Sequence, residues 1–336
     1  MFIRATISCL LVLAMAGCAA GPEHLVLRAA GEPVELVDVP FFAQDEFQCG
    51  PAALATVLVH EGIEVTPQAL KPQIYIPGRR GSLQAELLAA TRRHGRVPYI
   101  LPASLAPMLE EVRAGRPVLL LQNLGLERWP VWHYAVLVGF DPERDRFMLR
   151  SGTTQRLQTR APAYLARWDR AGRWSMVVVS PSDPPVSADV LGWLRAVAPF
   201  ESTGNLDVAA EGYEAAVRRW PDEAIAWTAL GNVRYLQQDL HAAEESYTRA
   251  LSISDSLWTA RNNLVNTLVD RGCVGLADPW IRSAGEPPPE FATTWQQTLT
   301  DVAAAEELSC DRSESQQEQD QRLTASDEFP SQPVPQ

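Results

Sequence analysis

Gln44-Asp45-Glu46-Phe47-Gln48-Cys49-Gly50-Pro51-Ala52-Ala53-Leu54 is answered, 84 residues after its cysteine, by His133-Tyr134-Ala135-Val136-Leu137-Val138-Gly139-Phe140-Asp141-Pro142. The first stretch puts a cysteine at a turn that runs into an apolar helical pattern, Ala52 to His60, stopped by Gly62. The second puts a histidine and an aspartate at the two ends of an apolar strand. A cysteine is a useful nucleophile only as thiolate, and a helix N-terminus beside a histidine favours that form. Cys49 is therefore expected to have a lowered pKa, with His133 as the base that takes its proton and returns it to a leaving group. Asp141 lies eight residues beyond His133, roughly 26 Å along a straight strand. It needs a hairpin or a curl to reach the imidazole.

Working outward, Val34 to Phe42 alternates as a strand leading to the cysteine, and Thr66 and Ser82 are N-cap candidates for two further helices. Val97 to Leu101, Pro117 to Gln122, Tyr134 to Phe140, Arg146 to Arg150 and Ser175 to Ser180 read as strands, with Leu105 to Ala114 as a helix and Asp141 to Asp145 as a turn. Helices followed by an antiparallel sheet is an α+β order, not an alternating one. Pro184-Pro185 marks a boundary, so the first domain is expected over residues 33–181.

The Gln…Cys-Gly-Pro-Ala-Ala-Leu segment, with His-Tyr-Ala-Val-Leu-Val-Gly-Phe-Asp-Pro at this separation, resembles the bacteriocin-processing, double-glycine leader peptidase family of the papain-like superfamily. The resemblance covers about residues 34–180. It implies a papain-like fold, Cys49 as nucleophile, His133 as base, Asp141 as the third member and Gln44 as an oxyanion donor. Gln44 stands five residues before Cys49, one fewer than is typical of the family, and Gln48 is a second candidate. The Cys49 backbone N–H is a further donor. The bland counterparts are a buried apolar thiol at Cys49, a core imidazole at His133 and a turn-starting Asp141. Trp129 and Trp132 either line the cleft or pack. His60, His94 and His241 read as helix-surface residues, and no spacing supports a metal or another cofactor.

Beyond the boundary the pattern is helical and repeats. Trp193 and Trp227, Ala209 and Ala243, Tyr213 and Tyr247, and Ala216 and Ala250 are each 34 residues apart. With Trp227-Thr228-Ala229-Leu230-Gly231, this resembles tetratricopeptide (TPR) repeats, in which helix pairs bury their apolar faces by stacking on neighbours. An all-α TPR solenoid is expected over 187–310, with a third unit from about Ser256 and a capping helix over Phe291 to Leu308. That arrangement brings Cys310 back to Cys273, either as a disulfide or as two unpaired thiols. Residues 311–336 are polar and expected to be a disordered tail.

At the other end, Arg4, the apolar run Ile7 to Met15 and Ala16-Gly17-Cys18 read as an export signal too short to span a bilayer. The ending resembles the lipobox of bacterial lipoproteins, which implies lipidation at Cys18 after removal of residues 1–18, a tether over 19–32, and an outer-membrane location facing the periplasm. An ordinary cleaved signal is the alternative. The formal net charge of −12 argues against nucleic acid as a partner. The sequence thus leads to the expectation of a lipid-anchored cysteine peptidase acting on peptide or protein substrates, with repeats that bind a protein partner. Two other classes stay open: a thiol amidase or acyltransferase acting on peptidoglycan or another envelope molecule, and a non-catalytic assembly lipoprotein.

Overall fold

The computed structural model describes residues 22–44, 48–79, 81–306 and 310. The expected signal, Cys18 and the tail over 311–336 lie outside the described residues. No helix among the described residues is long and apolar enough to cross a membrane. The chain divides into two compact units, residues 1–199 and 200–336.

The first unit is built on an antiparallel sheet. Helix α1 (Pro22–Ala29) and strand β1 (Val34–Glu35) precede α2 (Cys49–His60), α3 (Pro67–Ile74) and the small hairpin β2 (Tyr75–Ile76) with β3 (Gly81–Ser82). Then come α4 (Gln84–Arg93), β4 (Val97–Ile100), α5 (Leu105–Arg113), β5 (Val118–Asn123), β6 (Trp132–Asp141), β7 (Arg146–Ser151), β8 (Thr154–Arg160), α6 (Ala161–Asp169) and β9 (Ser175–Val179). The sheet order is β4-β9-β5-β6-β7-β8, with β1 pairing to β6. Helices ahead of an antiparallel sheet is the α+β order expected from the sequence.

Helix α2 is apolar all round, and such a helix belongs inside. Its Leu54, Val57 and Leu58 pack in one core with Leu119 and Leu121 of β5 and with Tyr134, Val136 and Val138 of β6. Alternate residues of a strand share a face, so β6 gives its even positions to α2. The opposite face of the sheet is covered by α6, whose Tyr164 stacks on Phe147 of β7 with ring centroids 4.0 Å apart. Arg150 of β7 is 4% exposed and donates to the carbonyls of Leu36, Val37, Val39 and Gln155. This cation therefore fastens the extended segment that leads to the cysteine, where the sequence suggests a longer strand than the two residues of β1.

Several elements differ from the sequence reading, the β2–β3 hairpin among them. Residues expected to form a tether include α1, whose Leu27 is fully buried and whose Glu23 accepts from the Leu105 backbone at the start of α5. Eight residues cannot hold a helix alone, so these tertiary contacts decide it. Strand β8 is a polar edge strand without apolar alternation, defined by its ladder to β7 and by the Arg156–Glu35 ion pair. Helix α6 follows it directly.

In the C-terminal direction the helices follow one another at the spacing the 34-residue period predicts: α7 (Val190–Ser202), within which the division into units falls, α8 (Leu206–Arg219), α9 (Ala224–Leu236), α10 (Leu240–Ile253), α11 (Trp258–Asp270), α12 (Val274–Arg282) and the closing α13 (Ala292–Ala304). The equivalent residues Ala209 and Ala243, Tyr213 and Tyr247, and Ala216 and Ala250 are all buried. Cys273, fully buried, is joined to Cys310 by a disulfide with Cα atoms 4.9 Å apart. Gly231 of α9 faces Tyr247 of α10 so closely that a Cβ would lie 2.5 Å from the ring, while the Tyr247 hydroxyl donates to Asn232 Oδ1 at 2.9 Å. Gly231→Ala is therefore expected to destabilise the repeats by about 1–3 kcal/mol through overpacking. Thermal denaturation followed by circular dichroism checks this, and an unchanged melting curve contradicts it.

Candidate active site

Cys49 is the first residue of α2, with Gln48 as N-cap and Pro51 in the first turn, where a missing N–H costs nothing. His133 is the second residue of β6. Both line one cavity of about 840 Å³, together with Gln44, Ser82, Tyr134 and Gly152. The Cys49 sulfur receives the backbone N–H of Tyr134, the residue after His133. Packing α2 on β6 thus brings the thiol to the start of the strand that carries the imidazole. Gln44 is held there through its backbone N–H, which donates to Gly152 O at 3.1 Å.

Asp141 is not part of this site. It ends β6 opposite Arg146 of β7, at the far end of the strand from His133, and β6 does not curl back. Its carboxylate accepts from the Arg144 backbone at 2.9 Å and from Arg144 Nη1 at 2.8 Å, closing the turn. Desolvation works to raise its pKa, but the Arg144 hydrogen bonds and charge outweigh it and hold the carboxyl below its ordinary value. The assignment of Asp141 as third member is therefore corrected: it stabilises a turn.

The side chain that does meet the imidazole is Ser151, whose Oγ lies 2.8 Å from His133 Nε2. Ser151 ends β7 and is 8% exposed. Its placement follows from register. Val136 pairs with Arg150, and the next pair along sets Ser151 opposite Ala135, on the face of β6 that also carries His133. A bulge between Leu137 and Gly139 produces this register. Without it, the Asp141–Arg146 and Phe140–Phe147 pairs extrapolate to Ser151 opposite Val136, facing α2. Sequence reading missed Ser151 because counting back from the turn points it to the wrong side. The one signal was Gly139, which marks a bulge or close approach within a strand. A Cβ at Gly139 would lie 2.5 Å from Val34 O.

A second hydroxyl was also missed: Ser82 Oγ is buried at the cavity and meets no hydrogen-bond partner among the described residues. The loop between β5 and β6 is shaped by Asn123, whose Oδ1 accepts from Gly125 and Val131 N–H at 2.9 and 3.0 Å. It places Pro130, Val131 and Trp132 on the cavity wall, while Trp129 is 71% exposed. Of the other histidines, His60 meets Gly115 O at 3.0 Å, His94 caps α4, and His241 lies against Arg271. Among the described residues no group of three metal-ligating side chains is assembled.

The electrostatics also differ from the expectation. Burial pushes the Cys49 thiol above its ordinary pKa, only partly offset by backbone N–H groups at Tyr134 and the helix start. Burial, and then the Arg167 cation of α6, push His133 below its own. Both shifts favour the neutral thiol and the neutral imidazole, so desolvation outweighs the helix N-terminus. Alkylation of Cys49 in the substrate-free protein is therefore expected to accelerate steadily as pH rises past the ordinary cysteine range. Mass-spectrometric rates with iodoacetamide check this, and a reactive plateau extending to acid pH contradicts it.

Residues 36–176 match the model of the Peptidase_C39 like family, and residues 200–257 match a Tetratricopeptide repeat model. Among curated relatives, 93 residues are 33% identical to Protein O-mannosyl-transferase TMTC1 of Mus musculus, covering 26% of this chain and 9% of that protein's length. Among solved structures, a putative C39-like peptidase from Bacillus anthracis is similar over 44% of this chain and 98% of its own, at 20% identity and TM-score 0.38. The peptidase domain of Streptococcus ComA, a bi-functional ABC transporter involved in quorum sensing, covers 42% and 98% at 15% identity and TM-score 0.35. A double glycine motif protease from an AMS/PCAT transporter, solved with its leader peptide, covers 44% and 96% at 18% identity and TM-score 0.33. Residues 36–176 thus form a C39-like domain, followed by helices matching tetratricopeptide repeats.

Proposed function

We propose that the first unit is a cysteine peptidase whose reacting pair is Cys49 and His133. The observation that supports it best is the meeting of the α2 N-terminus and the β6 start on one cavity, with the thiol against the Tyr134 N–H. The pair rests neutral. As a peptide fills the cavity, the Cys49 S–H proton passes to His133 and the sulfur bonds to the scissile carbonyl carbon, whose oxygen becomes an oxyanion. The Cys49 backbone N–H at the helix start and the Gln44 side chain, which lines the same cavity, receive that charge. The imidazolium then protonates the leaving amine as the C–N bond breaks, and water, deprotonated by the same ring, releases the acid from sulfur. The repeats serve to bind a protein partner or the substrate, and Cys18 carries a lipid anchor at the periplasmic face of the outer membrane.

Screening the purified full chain against a fluorogenic peptide library is expected to find cleavage that Cys49→Ala and His133→Ala each lower by about 10³-fold or more in kcat/KM. Cleavage unaffected by Cys49→Ala overturns the proposal. Release of cell-wall fragments without cleavage of any peptide points instead to a thiol amidase. For the anchor, Cys18→Ala is expected to move the expressed protein from the membrane fraction to the soluble envelope fraction. An unmoved protein contradicts lipidation at that residue.

A further inference from the structure

We propose that the Ser151 hydroxyl is the positioning residue for His133, so that the tautomer of the ring, not a carboxylate charge, sets the reactivity of Cys49. This rests on the Cys49–His133 reading above and adds a residue to it.

The geometry is a single contact with a chemical consequence. His133 Nε2 is engaged by Ser151 Oγ at 2.8 Å, which leaves Nδ1 as the nitrogen that can take the thiol proton. A carboxylate at this place could only accept; it would hold the proton on Nε2, keep Nδ1 free and stabilise the imidazolium. A hydroxyl can accept or donate. When Ser151 accepts from Nε2–H, Nδ1 has a lone pair for the Cys49 proton. When Ser151 donates to Nε2, the ring proton sits on Nδ1 and the thiol has no base. Among the described residues no carboxylate lines the cavity; its other titratable side chains are Cys49, Tyr134 and Arg79, and the Arg167 cation of α6 acts on the ring. The Arg167 charge opposes an imidazolium. The proton transfer from sulfur to Nδ1 balances, giving thiolate and imidazolium with Nε2–H donated to Ser151. That ion pair has only a neutral acceptor behind it.

The test uses the purified full chain and iodoacetamide, with the Cys49 peptide followed by mass spectrometry across pH, alongside an NMR titration of the His133 ring. Ser151→Asp is expected to raise the His133 pKa by about one unit or more and to speed Cys49 alkylation at pH 6 by about tenfold or more, giving an acid plateau that is not expected of the parent protein. Ser151→Ala is expected to slow alkylation at neutral pH by about fivefold, the loss of one hydrogen bond, and Ser151→Thr to keep the parent profile. Should Ser151→Asp melt below the assay temperature, the Ala and Thr variants decide. Superimposable profiles and an unmoved ring titration in the folded variants overturn the proposal while leaving the Cys49–His133 pair in place. A His133→Ala protein with parent-like Cys49 reactivity overturns both.

Discussion

Strand β6 constrains everything that bears on the site. Its even residues, Tyr134, Val136 and Val138, are committed to the core that holds α2, so its odd residues must look the other way. The bulge between Leu137 and Gly139 then lets β7 keep Phe147 and Arg146 in one register with the end of the strand while Leu149 and Arg150 take another. The shift sends Arg150 to the α2 face, where its guanidinium ties down the segment from Leu36 to Val39. It sends Ser151 to the face of His133. A slip of one residue would exchange the two and undo both the clamp and the contact.

The same packing explains why Cys49 and His133 both favour their uncharged forms. Placing Cys49 at the first turn of a buried helix removes its sulfur from water, and the start of β6 shelters the imidazole in turn. Backbone N–H groups at the helix start recover part of that cost for a thiolate, but no described carboxylate stands on the cavity to recover it for an imidazolium. Under the proposed peptidase chemistry, a peptide in the cavity changes that balance by displacing water and supplying a carbonyl on which the charge can settle.

The repeat helices follow a different logic. Each pair completes its core only against the next, so the residues that matter recur at the period of the stack: alanines at 209, 216, 243 and 250 for close approach, tyrosines at 213 and 247 for bulk. Among the described residues the stack ends at α13. There α13 contributes Trp295 to the last core, where it meets Trp258 edge-on, and the Cys273–Cys310 disulfide closes the chain over it.

Local pattern alone determined the α+β order, the apolar helix behind Cys49, the strand behind His133 and the 34-residue helical period, because each is a periodicity written in consecutive residues. Cys49 at a helix start and His133 at a strand start were legible too, while Gln44, which lines the same cavity, came only from the family resemblance. Helix α1 and strand β8 were not legible, because both are stabilised by partners distant in the chain: Glu23 and Leu27 against α5 and its surroundings, Arg156 against Glu35. Asp141 looked like a catalytic acid because it is the polar residue at the end of the right strand, yet a straight strand keeps it from the ring and Arg144 occupies it. The partner of His133 was decided only by the tertiary structure. Ser151 reaches the imidazole through a one-residue bulge, and a bulge depends on how three strands fit against a helix, which no count along one strand contains.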